Sequence, residues 1–434
     1  MRLRAIFWVP AAVTMAVACG DGSNGRDGAS GDGILSGGTE SDTDGPGGSG
    51  ASGASGASDG TGGSQSGSGQ DGNDDGIKWD LGVQPDVELG CGGGDGSGGG
   101  EPDFSYIWIA NSSQGTISKI NTQTMVEEGR YLVRPDGAGN PSRTSVNLNG
   151  DVAVANRAGG LTKVYARLSD CPDPNNTSTG PNDIRPWPDG CVAWHVPFNY
   201  STQRPVAWTQ GEFNPATCRY DDTKVWTSGG NPGHDVILVD GDSGAVEQTI
   251  PIAVPVNTYG IYGGAVDAQG NFWGSQLGQG TLVNVSLQDF SVRTWGMAAS
   301  GYGMTVDSQG NVWTCSGAVA RFDTQTETWQ TANAGGGGGC MEDGQGTLWL
   351  ASNPLVGVDI NTMQVVKSIP LPQYVHGVSI DFYGYVWGVS LFAPEAYRVN
   401  PQTDTFDTFT GLTQPYTYSD MTGFALSNAG GPSG

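Results

Sequence analysis

Four times between Gly263 and Trp387 a short run of small, apolar residues gives way to a polar turn, and then to an alternating run that carries a tryptophan. The copies are Gly263…Asp267…Gly270…Trp273, Gly303…Asp307…Gly310…Trp313, Gly339…Asp343…Gly346…Trp349 and Gly377…Asp381…Gly384…Trp387. Each reads G-x-x-x-D-x-x-G-x-x-W. Runs such as Gly263–Val266 suit a strand crowded near a central axis, where only small side chains fit. Asp-x-x-Gly predicts a tight turn in which the carboxylate accepts backbone N–H groups and glycine supplies a positive φ. In Asn271-Phe272-Trp273-Gly274 the alternation places the large ring between neighbouring sheets.

A third and a fourth strand follow as a hairpin, as in Val319-Ala-Arg-Phe-Asp323, a Thr-Gln-Thr turn, and Thr328-Trp-Gln-Thr331. Similar third strands recur at Ile117–Asn121, Val236–Asp240, Leu282–Val285, Val356–Asp359 and Tyr397–Asn400. Successive tryptophans lie about 36 to 40 residues apart, the period of a four-stranded propeller blade. Degenerate copies stand at Asn147–Ala153 and Tyr220–Trp226, and Tyr106-Ile-Trp108-Ile109 reads as the second strand of a blade lacking its first. Gly423-Phe-Ala-Leu-Ser427 overlays Gly303-Met-Thr-Val-Asp307 and is expected to supply that strand. The prediction is an all-β, closed β-propeller of seven four-stranded blades, its ring closed by the C-terminal strand and no edge left open. Six or eight blades also fit, because residues 166–223 are irregular.

The N-terminus changes the picture of where this wheel works. Arg2 and Arg4 precede an apolar core, and Ala16-Val17-Ala18-Cys19 is a small-residue site before a cysteine. It resembles a bacterial lipobox, which implies acylation of Cys19, export, and anchoring at the outer membrane, on the cell surface or its periplasmic side. Residues 20–103 are Gly, Ser, Asp, Ala and Thr with little to bury, so they read as a disordered tether to a propeller spanning 104–434.

The chain has 434 residues and a net charge of −25, with 16 of its 44 acidic residues before Phe104. That balance excludes nucleic acid as a partner, since a phosphate backbone needs a basic face. With Cys19 assigned to lipid, six cysteines remain for an exported chain. The expected pairs are Cys171–Cys191, closing an insertion around 166–223, and Cys315–Cys340, tying adjacent blades; Cys91–Cys218 is what remains. Within the insertion Asp173, Asn175, Thr177 and Thr179 have the spacing that opens a calcium loop, although Ser178 stands where glycine is wanted. No cofactor is otherwise expected.

Only His195, His234 and His376 offer imidazole chemistry, and no nucleophile elbow, zinc helix or phosphate loop is present. His376 stands out by register. The residues just before the strand-opening positions are Tyr262, Tyr302, Gly338, His376 and Thr422, with Ser142 in a degenerate copy. In a propeller they begin the innermost strands, at the mouth of the central funnel, and small-molecule sites favour such concave mouths. Tyr259, Tyr262, Tyr302 and His376, with Arg143 nearby, are therefore the candidate ligand-binding rim, and His376 the candidate catalytic residue.

With segments such as Gly377-Val-Ser-Ile-Asp-Phe-Tyr-Gly-Tyr-Val-Trp387, the repeat resembles the streptogramin (virginiamycin B) lyase-like propellers and, more loosely, NHL-type repeats. The resemblance implies a His at a strand opening, a Glu shortly after the Trp and a second His, arranged around magnesium for lactone opening by elimination. His376 fits the first place. Ser390 and Ala393 stand in the other two, and neither serves as a general base or holds a hard cation. The expectation is a monomeric, non-catalytic binding module for a protein or glycan partner. The alternative is a lyase or hydrolase using His376 with Tyr262, Tyr302 or Glu395.

Overall fold

A computed structural model describes residues 105–231, 233–255 and 259–429. The expected leader with Cys19, the expected tether and Cys91 lie outside the described residues. Among the described residues twenty-nine strands form seven antiparallel blades and one small extra hairpin. The chain is a seven-bladed β-propeller.

The first blade holds Tyr106–Asn111, Thr116–Asn121 and Glu127–Leu132. The second runs from Pro141–Val146 to Val192–Val196, and the third from Thr202–Trp208 to Val246–Pro251. Four regular blades follow, their innermost strands being Ile261–Val266, Gly303–Val306, Cys340–Glu342 and Val375–Ile380. Each blade is a meander from the axis outward, so the starts of the inner strands and the loops after the second strands share one face, the mouth. The Asp turns sit on the far face.

Those turns do more than reverse the chain. In each regular blade one carboxylate oxygen accepts two backbone N–H groups, those of Gln269 and Asn271 for Asp267, while the other accepts the indole N–H of the motif tryptophan. The indole bonds are 2.8, 2.7, 2.9 and 2.8 Å for Trp273, Trp313, Trp349 and Trp387. Gly270 adopts φ +77°, as such a turn demands. Trp108 and Trp226 have no such Asp, and each donates instead to a turn glycine of the next blade, Gly150 and Gly270. All of these rings are buried, and they form the core between sheets.

The ring closes with a C-terminal segment, but not the one the overlay points to. The strip from Gln414 to Met421 lies along Tyr106–Asn111: Trp108 N donates to Met421 O, Tyr416 N to Ala110 O, and Asn111 bridges to Pro415. From Gly423 the expected strand is replaced by a helix, Phe424–Ala429. The reason is Asp420, whose carboxylate accepts the N–H groups of Gly423 and Leu426 and folds the chain back on itself. Phe424 and Leu426 are then buried near the far face. There an axial cavity of about 30 Å³, room for roughly one water, is lined by residues including Trp208, Val306, Met341 and Leu426.

The stretch 166–223 holds two strands of the wheel between two excursions. Residues 165–191 leave the second blade, and a hairpin of Glu212–Asn214 with Arg219–Asp221 leaves the third. Both depart from the far face. Cys171–Cys191 and Cys315–Cys340 are at disulfide distance, as expected, the latter joining two blades at the mouth. Such pairs fit an oxidising, extracellular-type environment. Among the described residues no helix is long and apolar enough to cross a membrane.

Candidate functional site at the mouth

Register assembles the mouth. Three residues before the partner of each motif tryptophan stand Tyr262, Tyr302, Gly338 and His376 in the regular blades, because Trp273, Trp313, Trp349 and Trp387 pair with Ala265, Thr305, Met341 and Ser379. In the third blade Trp226 pairs with Ala207, which puts Arg204 in the same place. In the second blade Ser142 takes it, three before Ser145. In the first, Tyr418 stands three before Met421, the residue that bonds Trp108. Gly338 is required here, since a Cβ would meet the His376 carbonyl oxygen at 2.1 Å.

The structure thus brings together Tyr262, Tyr302, His376 and Arg143, with Tyr259 packed edge-on against Tyr262. It places Thr422, expected in the same ring, near the far end of the strip, where its hydroxyl bonds Ser379 and the Ile380 carbonyl. Arg204, Tyr418, Tyr416, Tyr374 and Arg157, none of them marked by the repeated motif, complete the group. Arg204 was legible from Trp226 once the hairpin at 212–221 is skipped.

The rings plug the axis by bonding to one another. His376 Nε2 lies 2.8 Å from Tyr302 Oη and its Nδ1 3.0 Å from Tyr374 Oη. Tyr302 Oη bonds Tyr416 Oη, and Tyr262 Oη lies 3.2 Å from both. Burial and the nearby Arg143 push the His376 imidazole down to about 3, so it is neutral at physiological pH. Burial raises the Tyr262 phenol to about 12 and lifts Tyr302 as well. Burial opposes ionisation of Tyr416 too, but Arg143, the Tyr262 and Tyr302 hydrogen bonds and Arg204 bring it net below the ordinary value.

Three guanidinium groups are threaded through these phenols. Arg143 and Arg204 lie 4.9 and 4.6 Å from the Tyr262 ring centroid, Arg143 also stacks on Tyr418, and Arg157 sits 4.6 Å from the Tyr416 centroid. Burial lowers Arg143 to about 9, and burial with the neighbouring Arg204 lowers Arg157. None of the three forms an ion pair among the described residues. The arrangement offers positive charge and ring faces, but no free base.

The remaining candidates lie elsewhere. His195, on the outer strand of the second blade, bonds Thr162 at 2.9 Å. His234 is buried at the mouth end of the third blade. Glu395 accepts from Tyr397 Oη at 2.5 Å. In the proposed calcium loop Thr177 donates to Asp189 at 2.6 Å and Thr179 to Asp183 at 3.1 Å, while Asp173 and Asn175 are exposed. Among the described residues no cluster of three His, Cys, Asp or Glu is arranged to hold a metal.

No protein-family model matches this chain, and no curated protein sequence matches it either. Among solved structures it is similar to virginiamycin B lyase from Staphylococcus aureus, at 13% identity over 64% of this chain and 89% of that one, with a TM-score of 0.46. A candidate 6-phosphogluconolactonase from Bacteroides uniformis matches at 13% identity over 74% of this chain and 98% of that one, TM-score 0.50. AztD from Citrobacter koseri matches at 9% identity over 72% and 96%, TM-score 0.48. At such identities the likeness establishes the propeller fold alone.

Proposed function

We propose that this chain is an exported, lipid-anchored propeller that binds a protein or glycan partner at its mouth and does not act on it chemically. The observation that carries the reading is the state of His376: both ring nitrogens are engaged by tyrosines and the imidazole is neutral, while Ser390 and Ala393 occupy the places where the lyase resemblance calls for Glu and His. A general acid–base needs a partner that exchanges protons with substrate, and these rings exchange hydrogen bonds with each other. Export is supported by the leader before Cys19 and by two disulfide-distance pairs. The tether of residues 20–103 gives the wheel reach from a membrane surface.

The alternative, a lyase or hydrolase with a rearranged site, draws on the His376–Tyr302–Tyr416 chain, which is a continuous hydrogen-bonded path. One comparison separates the two. Wild type and His376→Ala are screened in parallel against lactones, esters and cyclic depsipeptides, and against glycan and protein panels. The binding reading expects no turnover by either; turnover by wild type that the variant loses would sink it. Fatty-acid labelling of wild type but not of Cys19→Ala is the expected result for the anchor.

A further inference from the structure

Among the described residues the three arginines of the mouth lack what buried guanidinium groups ordinarily have, a carboxylate. Arg143 is 1% and Arg204 8% exposed. The Arg204 Nε–H is buried and has no hydrogen-bond partner. Among the described residues its guanidinium makes one hydrogen bond, 3.4 Å to Tyr262 Oη, and Arg143 donates only to the Ser142 and Tyr262 carbonyls, at 3.3 Å each. Elsewhere the same chain pairs its buried cations with acids: Arg130 is held by Glu127 at 2.7 Å and Lys163 by Asp151 at 3.3 Å. Arg157, half-exposed, donates to the Asn140 carbonyl and side-chain oxygens; taking the other two charges from water without a carboxylate is costly, and a chain of net charge −25 has carboxylates to spare. Their exclusion from this one place keeps the field positive.

The outer layer says what kind of anion fits. Arg157, Tyr302, Tyr374, Tyr416 and Tyr259 are half-buried, with exposed Phe392 packed on Tyr374. This is a shallow platform of ring faces and planar guanidinium groups. It contains no lysine and no helix N-terminus, the usual furniture of a phosphate site. A guanidinium fork matches a carboxylate edge to edge, and the apolar face of a sugar ring packs on aromatic faces. Resting on the binding-module reading above, we infer that the mouth receives a carboxylate-bearing sugar, a uronate residue of an acidic glycan, with its acid drawn to Arg157 and Arg204 and its ring lying on Tyr416 and Tyr302.

The test is calorimetric titration of the exported chain with oligogalacturonate, with a neutral oligosaccharide of equal length, and with inorganic phosphate. Uronate is expected to bind at least about tenfold tighter than the neutral oligomer, and Arg157→Gln to weaken it by about 10- to 100-fold, the range of a lost charged hydrogen bond. Arg157 is half-exposed, so the variant should keep the wild-type melting transition, which is measured alongside. Absence of uronate binding, equal affinity for the neutral oligomer, tighter binding of phosphate, or an Arg157→Gln variant with undiminished affinity would each overturn the inference. So would a tyrosinate absorbance band at neutral pH that Tyr416→Phe removes, because the missing negative charge would then be internal. A neutral glycan or a protein bound at the mouth with uronates ignored removes this inference and leaves the binding module standing; His376-dependent turnover removes the binding module.

Discussion

The two faces of the wheel are built on opposite plans. On the far face the same device is repeated: an Asp turn clamps two backbone N–H groups and the indole of the next strand, and the helix Phe424–Ala429 buries Phe424 and Leu426 there. On the mouth face no single residue type fills the shared register position: it is Ser142, Arg204, Gly338 and His376 in four blades and tyrosine, Tyr262, Tyr302 and Tyr418, in the other three. Repetition marks what holds blades together. Departure from it marks what the sequence spends on a surface.

The sharpest way to break that contrast is on the far face. Trp387→Ala removes a fully buried ring together with its 2.8 Å bond to Asp381. The expected loss is about 3–5 kcal/mol, as for other large-to-small core changes. Urea unfolding of the variant measures it. A loss below about 1 kcal/mol would mean that the Asp–Trp clamp is decoration and that the blades are held by something else.

How much could be read without coordinates follows the same division. The clamp declared itself, because its glycine, aspartate and tryptophan are each demanded by local geometry and recur at a blade's period. The propeller, the pair Cys315–Cys340 across adjacent blades and the placement of Tyr262, Tyr302 and His376 at one end follow from it; Cys171–Cys191 was read from the irregular insertion instead, and that same stretch left the count of seven open to six or eight. Closure was legible as an event but not as a segment. Gly423–Ser427 copies a strand motif by composition, while Asp420 turns it helical and the unpatterned strip from Gln414 to Met421 does the pairing. Tyr416 and Tyr418 were hidden for that reason. Arg204 was hidden because a hairpin separates its strand from the tryptophan that sets its register.

The next test sets the faces against each other by pH. His376 is held at about 3 against an ordinary 6.5, so as pH falls through that window the unfolded chain takes up a proton the fold refuses, and stability is lost. Asp381 is raised by burial to about 6 from 3.8, so between those values the fold takes up the proton first, and stability is gained as pH falls. The two slopes oppose. Over the shared interval His376→Gln should be relieved of about 2–3 kcal/mol of acid destabilisation, and Asp381→Asn should lose its acid gain. Urea midpoints at the two ends of the interval report both. Parallel pH curves for wild type and His376→Gln would show that the mouth imidazole is far less buried than its packing implies.

The smallest effect is expected at the centre of the mouth, and its smallness is the point. Arg143 is fully buried, but its contacts are ring faces and two carbonyl groups, with no carboxylate to strand. Arg143→Met keeps apolar bulk against Tyr418 and Tyr262 while lifting the desolvation cost of an unpaired charge, which also pulls Arg143 down to about 9. Stability should stay within about 1 kcal/mol of wild type or rise. A far-face tryptophan of comparable burial costs several times more, so the ratio of the two is the measurement. If Arg143→Met instead unfolds the chain as readily as Trp387→Ala, the cation is part of the frame. The division between a repeated structural face and a variable mouth would then fail at the residue where it is most exposed to test.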